Sequence, residues 1–295
     1  MRDDNNSPAT GRLSSSNCNM QNIKAAFKPM FIPPYDGWKI IELDYSQSEV
    51  RCAAYMSGDT VLREALYSGD FHSVTAAAAF NKSVEDVLPE ERKASKTLVF
   101  GAWLYGGENA VVTRVLHCTT GEAEVLLSGL KKKYHVCTAW LESLVDTCMQ
   151  QGYVETIFGR HRRLPEIWSP MDSEVSSAKR QAKNSPTQGS SAEITNAAII
   201  KIGKYLRENN YQARIINTVH DSIVVSCPPE EAEEVAEVCA SIMTQPPFPE
   251  FNIALDVEYE IKSRWGGEIN INDIKGLKDS EEILLETLDI LETEV

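Results

Sequence analysis

The alternation of apolar and polar positions along the chain predicts a few strands and a long helical region. Apolar runs rich in β-branched residues predict strands at 38–44, 213–219, 222–227 and 253–261. The stretch from about 59 to 151 repeats its apolar positions at helical spacing, and further helices are predicted at 46–57 and 229–243. The pattern therefore predicts an α+β fold in which a helical insertion interrupts a small antiparallel sheet.

Glycine and proline refine the pattern at two places. Residues 153–167 predict a hairpin that turns at Gly159 and carries a basic tip. Pro186 falls within a helical pattern, and proline both removes a backbone donor and clashes with the preceding turn. Two helices are therefore predicted, at 173–185 and 188–208.

The charge of the chain bears on its partners. Of 295 residues 42% are hydrophobic, as in soluble globular proteins, and the formal net charge is −14. This charge alone argues against a nucleic-acid partner, because phosphate contacts are made mainly by Lys and Arg. Part of the excess is local, since residues 279–295 hold seven acids and no base. Residues 277–291 predict an acidic amphipathic helix, whereas basic residues cluster at 131–133, 160–163 and 179–183.

Targeting and redox signals are weak. No stretch approaches the roughly 18 apolar residues of a membrane helix, and the polar N-terminus is unlike a secretory signal. The seven cysteines form no CxxC pair, which disfavours a zinc cage or a disulfide framework. A reducing, cytoplasmic location is predicted.

Three separate stretches carry residues suited to chemistry. Asp44 ends an apolar strand, and Asp221 lies in a tight turn between two others. Arg92, Lys96 and Phe100 follow at i, i+4 and i+8, which places them on one helix face. Taken singly, each has an ordinary explanation as a turn residue or a solvated helix face. Taken together, two carboxylates at one sheet edge can hold divalent ions, and a cation stripe suits a triphosphate.

These motifs, in this order, resemble those of the family A DNA polymerases. Residues 44–51 (DYSQSEVR) resemble motif A, residues 92–101 motif B, and residues 219–221 (VHD) motif C. Three further segments resemble family sequences, namely 10–15 (TGRLSS), 19–23 (NMQNI) and 180–189 (RQAKNSPTQG). The resemblance covers the chain from about residue 9 to 266.

The resemblance implies a right-hand polymerase fold. It assigns residues 1–57 to an N-terminal loop and first palm segment, 58–166 to the fingers, 167–266 to a second palm segment and 267–295 to an acidic tail. In the family a thumb and a 3′–5′ exonuclease would precede residue 9. Their absence implies a split or truncated enzyme, of the bacterial DNA polymerase I or phage replicative type, whose partner chain supplies these domains.

The resemblance also implies roles for individual residues. Asp44 and Asp221 would be the catalytic carboxylates and, with the backbone carbonyl of Tyr45, would hold two Mg²⁺ ions, with Mn²⁺ as a substitute. The residues implied to bind the incoming dNTP are Glu49, His72, Arg92, Lys96, Phe100 and Tyr105, with Glu49 excluding a ribose 2′-hydroxyl. The residues implied to contact primer–template DNA are Arg12, Arg180, Asn184, Gln188 and His220.

Two departures from the family pattern bear on these roles. Ser222 follows Asp221 where DNA polymerases of the family usually have Glu. Motif B contains one extra residue between Phe100 and Tyr105, which in a regular helix would turn Tyr105 by about 100°. Either Leu104 takes the place of the tyrosine, or a π-bulge restores Tyr105 to the active face.

The sequence thus predicts a template-directed DNA polymerase that acts in DNA replication. One alternative is a non-catalytic DNA-binding or assembly subunit, which the retention of Asp44, Asp221, Arg92 and Lys96 disfavours. Another is a fragment of a phage-type RNA polymerase, whose motif C reads His-Asp-Ser. Glu49 and the DYSQ sequence disfavour that class.

Overall fold

The computed structural model describes residues 9–268, so the acidic helix predicted at 277–291 lies outside the described residues. The described chain divides into two compact units. The first comprises residues 9–13, 45–198 and 243–256, and the second comprises 14–44, 199–242 and 257–268. Within residues 9–268, no helix combines the length and the apolar character needed to cross a membrane.

The second unit contains a four-stranded sheet with the strand order β4-β5-β1-β6. Its strands are β1 (Lys39–Tyr45), β4 (Arg214–Val219), β5 (Ser222–Cys227) and β6 (Val257–Lys262). Both β1 and β4 pair with β5 in antiparallel register, and a bulge at Ile215/Asn217 interrupts the second pairing. The predicted α+β class with an antiparallel sheet is confirmed. The last strand begins four residues later than predicted, at Val257.

Apolar side chains hold this sheet to the segments around it. Ile40, Val224 and Trp265 form a buried cluster, and Phe31 packs against it edge-on to the Trp265 ring. The unit also contains a 3₁₀-helix at Ala25–Met30, another at Pro229–Glu231, and most of α9 (Ala232–Thr244). Strands β1 and β5 therefore have fixed positions, and the ends of these strands carry the candidate carboxylates.

The first unit is mainly helical. Its helices before the hairpin are α1 (Ser48–Ser57), α2 (Thr60–Tyr67), α3 (Phe71–Phe80), α4 (Pro89–Lys96), α5 (Glu108–Leu116), α6 (Thr120–Lys133) and α7 (His135–Gln151). Side chains cap several of them: Asp59 accepts from Leu62 N at the start of α2, and Asp70 accepts from Ser73 N at the start of α3. At Gly129, α6 runs so close to α3 that an added Cβ would lie 2.6 Å from the Ala78 carbonyl oxygen.

Helix α4 continues directly into a π-helix at Thr97–Leu104. Its wider turn is visible in the 3.2 Å bond from the Tyr105 backbone nitrogen to the Phe100 carbonyl, five residues earlier. The π-helix accommodates the extra residue of motif B. This is the second of the two alternatives, in which a π-bulge restores Tyr105. Trp103, near its end, is buried and stacks on Tyr134 at 5.5 Å between ring centroids.

The predicted hairpin is confirmed as β2 (Tyr153–Glu155) and β3 (His161–Arg163), which pair antiparallel. Gly159 lies in the connecting turn with φ +77°, a value that glycine adopts without strain. A short 3₁₀-helix at Pro165–Trp168 follows.

The prediction that Pro186 divides a helix is wrong. Helix α8 runs without a break from Asp172 to Glu208, with Pro186 inside it. The residues on both sides of the proline are buried, including Ala182 before it and Ala192 after it. Packing along the whole helix outweighs the roughly 3 kcal/mol that an interior proline costs. Its residues up to 198 belong to the first unit.

Candidate active site

In the second unit, strand pairing brings the two predicted carboxylates to one edge of the sheet. Asp44, near the end of β1, lies directly opposite Ser222, the first residue of β5. Asp221 immediately precedes Ser222 in the two-residue turn that joins β4 to β5. His220, the other turn residue, is exposed and has φ +56°. The sequence placed these residues at a strand end and in a turn, and the register of β1 on β5 brings them together.

A pocket of about 380 Å³ opens at these carboxylates. Its lining also includes Lys28, Glu42 and Glu258, which the sequence analysis did not single out. Lys28 donates to Glu42 at 3.0 Å and lies 5.0 Å above the Trp265 ring. Glu42 could have been found from sequence, because residues two apart on a strand share a face, and Glu42 is two residues before Asp44.

The pocket is electrostatically unfavourable for its own carboxylates. The pKa of Asp44 is raised to about 7, first by burial and then by the charges of Asp221, Glu42 and Glu258, while Lys28 opposes them. Because each neighbouring negative charge disfavours ionisation, a cation placed here would lower the pKa of Asp44 again. This is the electrostatic character expected of a site for a positively charged ligand.

The donor set fits a weakly coordinated divalent ion better than a structural metal. Across residues 9–268, no three or more His, Cys, Asp and Glu side chains form a group that could hold an ion. Mg²⁺ is usually held by one or two carboxylates together with water and substrate phosphates, so two aspartates suffice. The Tyr45 ring is buried and its hydroxyl donates to the Met243 carbonyl at 2.9 Å. Only the backbone of Tyr45 is therefore available as a ligand.

In the first unit, Glu49 is the centre of a buried polar network. It lies in the first turn of α1 with 5% of its surface exposed. One carboxylate oxygen forms an ion pair with Arg12, and the other accepts a 2.7 Å hydrogen bond from the Tyr105 hydroxyl. Gln188 also hydrogen-bonds to Tyr105, and burial followed by the Glu49 charge raises the pKa of Tyr105. The π-helix thus places the Tyr105 hydroxyl against Glu49, the residue predicted to exclude a ribose 2′-hydroxyl.

The predicted phosphate-binding residues lie where α3 packs on α4, which continues into the π-helix. His72 lies on α3, and its Nδ1 is 3.0 Å from the Ser95 hydroxyl oxygen. The Phe100 ring lies 6.4 Å from the His72 ring and 6.3 Å from the Tyr105 ring. Lys96 ends α4 and is exposed.

Arg92 is anchored by a residue that sequence reasoning missed. Its Nε donates to Asp70 Oδ2 at 2.8 Å, and both side chains are about half exposed. The hydrogen bond from Arg92 is the largest cause that lowers the pKa of Asp70. Asp70 is also the N-cap of α3, so one carboxylate fixes both the guanidinium and the helix that carries His72. Because this bond uses Nε, the two terminal nitrogens of Arg92 make no hydrogen bond within residues 9–268 and could bind a ligand.

The predicted DNA-contacting residues of α8 share one face of that helix. Arg180, Asn184 and Gln188 follow at i, i+4 and i+8, and Arg180 is exposed. The amide oxygen of Asn184 is buried and has no hydrogen-bond partner among residues 9–268. An unsatisfied buried acceptor is costly, which fits a side chain that is completed by a ligand. Gln188 and Arg12 are instead part of the Glu49–Tyr105 network.

The hairpin tip offers less basic surface than its sequence indicates. Arg160 donates to the Thr10 carbonyl at 2.6 Å and to Glu193 at 2.5 Å, which fixes the N-terminal segment to α8. Arg162 donates to Gln181 at 2.6 Å, whereas Arg163 is exposed. Two of the three arginines therefore serve internal contacts.

Comparison with known proteins agrees with this geometry. The family model for DNA polymerase family A matches residues 4–267. The chain is 36% identical over 264 residues to the thermostable DNA polymerase I of Thermus aquaticus and 33% identical over 263 residues to DNA polymerase I of Bacillus caldotenax. Each match covers 87% of this chain but only 31% and 30% of these relatives, so the chain spans about a third of their length.

A solved structure shows the same fold. The structure described as the POL domain of Pol1 from M. smegmatis in complex with DNA primer-template and dNTP superposes with a TM-score of 0.83 at 30% identity. The match covers 89% of this chain and 47% of that chain. A right-hand polymerase fold with paired carboxylates is the class that these features define. The chain belongs to DNA polymerase family A, and the resemblance drawn from its motifs is confirmed.

Proposed function

We propose that this chain catalyses template-directed DNA synthesis, the transfer of a nucleotidyl group from a dNTP to a primer 3′-hydroxyl in DNA replication. The observation that carries the proposal is the pair Asp44 and Asp221, brought to one sheet edge by the register of β1 and β5. The solved relative, a complex with DNA primer-template and dNTP, supports the same substrates for this chain.

The carboxylates and one backbone group would hold the metal ions. Asp44, Asp221 and the Tyr45 carbonyl are the ligands that this chain offers to two Mg²⁺ ions, or to Mn²⁺ in their place. Bound ions would supply a lower pKa for the primer hydroxyl and stabilisation of the charge on the leaving pyrophosphate. Asp44 needs to be ionised for this role, and the bound cation would favour that state.

Residues of the first unit would bind the nucleotide. Arg92 and Lys96 would supply positive charge for the triphosphate, His72 would contact a phosphate oxygen, and Phe100 offers a ring face for stacking. Glu49, fixed by Arg12 and Tyr105, would exclude a 2′-hydroxyl and so select deoxynucleotides. This rigid, buried carboxylate supports DNA synthesis over the RNA polymerase alternative.

The remaining roles complete the proposal. The residues proposed to contact primer–template DNA are Arg12, Arg180, Asn184, Gln188 and His220. The palm and fingers boundaries expected from the motifs, a location in the cytoplasm and a second chain that supplies thumb and exonuclease are proposed with it. The net charge of this chain is acidic, which supports a partner chain whose basic surface contacts the DNA backbone.

Primer extension tests the proposal. The full chain is incubated with a labelled primer–template, Mg²⁺ and either dNTPs or rNTPs, and binding to the same duplex is measured in parallel. Template-dependent extension with dNTPs supports the proposal. Binding without extension would favour the non-catalytic subunit, and extension mainly with rNTPs would favour an RNA polymerase.

A further inference from the structure

The hydrogen bonds around His72 determine which of its ring nitrogens carries the proton. His72 is 5% exposed, and its Nδ1 lies 3.0 Å from the Ser95 hydroxyl oxygen. The Ser95 hydroxyl in turn donates to the Arg92 carbonyl at 2.8 Å. A carbonyl can only accept and a hydroxyl has one hydrogen, so a Ser95 hydroxyl that donates to Arg92 has no hydrogen left for His72. In this arrangement Nδ1 of His72 is the donor in its bond to Ser95.

The other ring nitrogen of His72, Nε2, is then unprotonated. A neutral imidazole carries one N–H, so with Nδ1 protonated Nε2 holds a lone pair and can only accept. No hydrogen bond to Nε2 occurs among residues 9–268, which leaves this nitrogen for a ligand. The oxygens of an ionised triphosphate are also acceptors. A neutral His72 in this tautomer would thus repel the phosphate that it is expected to bind.

We propose that Ser95 is a positioning residue that holds His72 in the tautomer with a bare Nε2, so that the contact with an incoming triphosphate requires a proton taken up from solvent. In the complex Nδ1–H remains bonded to Ser95 and the new Nε2–H donates to a phosphate oxygen. The inference rests on the proposed function, because it assumes that this cluster binds a nucleotide.

The charged groups around His72 keep it neutral before a nucleotide binds. The pKa of His72 is lowered to about 4, mainly by burial and then by Lys96 and Arg92, while Asp70 opposes them. Helix α6, which also packs on α3, contributes Lys133, whose ammonium nitrogen lies 3.5 Å from the Val74 carbonyl. A triphosphate would add negative charge beside the ring and neutralise the two cations of α4. Both changes raise the pKa of His72.

The free chain provides the first test. Nitrogen-15 NMR distinguishes the protonated from the bare imidazole nitrogen, and His72→Gln assigns the signal among the five histidines. At pH 7 the His72 ring is expected to be neutral, with Nδ1 protonated and Nε2 bare. Ser95→Ala removes the constraint and should allow a proton on Nε2. This variant should fold, because alanine is the better helix former and no larger group is introduced.

Nucleotide binding provides the second test. Binding of dATP with Ca²⁺, which prevents turnover, is measured by calorimetry in two buffers of different ionisation heat. The wild-type chain should take up about one proton more per nucleotide than His72→Gln or Ser95→Ala. Its dissociation constant should rise about tenfold per pH unit between the free and bound pKa of the ring, relative to both variants.

The outcomes separate this inference from the function on which it rests. A free chain with the proton on Nε2 overturns the inference. So does nucleotide binding with the same proton uptake and pH dependence in the wild type and in Ser95→Ala. If none of the three proteins binds dATP, the proposed nucleotide site is contradicted, and the inference fails with it.

Discussion

The buried network at Glu49 yields the sharpest prediction for substrate choice. Glu49→Ala removes a carboxylate that is 5% exposed and is held between the Arg12 guanidinium and the Tyr105 hydroxyl. Because the proposed role of this side chain is to occupy the space beside C2′, its loss should admit ribonucleotides. The ratio of kcat/KM for a dNTP over the matching rNTP should therefore fall.

The structure sets a scale for the effect. A hydrogen bond to a charged group contributes about 1.5–3 kcal/mol, and about 1.4 kcal/mol corresponds to a tenfold ratio. Tyr105→Phe removes the 2.7 Å bond to Glu49 and leaves Arg12 as its partner. This loosening should lower the dNTP/rNTP ratio by up to about 10- to 100-fold. Glu49→Ala removes the whole group and should lower it more.

Single-nucleotide incorporation on one primer–template, with dNTP and rNTP in separate reactions, measures both ratios. Tyr211→Phe is a matched control, because it removes a tyrosine–glutamate bond, to Glu234, in an exposed pair of the second unit. Its ratio should equal that of the wild type. An unchanged ratio in Glu49→Ala would exclude this residue from sugar selection. An unchanged ratio in Tyr105→Phe alone would show that Arg12 suffices to hold the carboxylate.

Two further predictions concern local contacts, and a third concerns DNA binding. Asp70→Asn retains an N-cap but weakens the ion pair that holds Arg92, and an exposed ion pair contributes at most about 1 kcal/mol. The KM for dNTP should therefore rise about fivefold with kcat nearly constant. A lower kcat at constant KM would contradict this. Gly129→Ala places a Cβ 2.6 Å from the Ala78 carbonyl and should lower the unfolding free energy by about 1–3 kcal/mol in urea denaturation. Gly121→Ala in the same helix has nothing within 4 Å and should be neutral or stabilising, and equal effects of the two would refute the packing argument. Finally, fluorescence anisotropy should show weak, salt-sensitive binding of the isolated chain to primer–template; tight binding at physiological salt would argue against the need for a partner.

Local signals in the sequence were sufficient for the strands and for the local positions of Asp44 and Asp221. Strand runs bounded by turn residues placed Asp44 at a strand end and Asp221 in a turn, whereas the register of β1 on β5, which brings the two together, came from the structure. The motif B stripe was found in the same way, from helical spacing. These features depend on short-range periodicity, which a single sequence records well.

Features decided by tertiary contacts could not be predicted from the sequence. The burial that keeps α8 continuous through Pro186 involves residues far along the chain, so the local rule gave the wrong answer. The choice between Leu104 and Tyr105 depended on the bond from Tyr105 to Glu49, which lies 56 positions away. Arg160 was predicted to belong to a basic hairpin tip, because its partners Thr10 and Glu193 are too remote in sequence to be recognised.

The central claim is that Asp44 and Asp221 perform the chemistry of nucleotide addition, and charge removal at these two positions tests it most directly. Asp44→Asn and Asp221→Asn are compared with Asp36→Asn, an exposed aspartate of the same unit, in single-turnover addition of one dNTP with Mg²⁺. The account predicts rates below about 1% of wild type for the first two, because the ligands of both ions are lost, with primer–template affinity retained. Asp36→Asn should react at the wild-type rate. Addition above about 1% in either active-site variant, with the same duplex bound, would contradict the account.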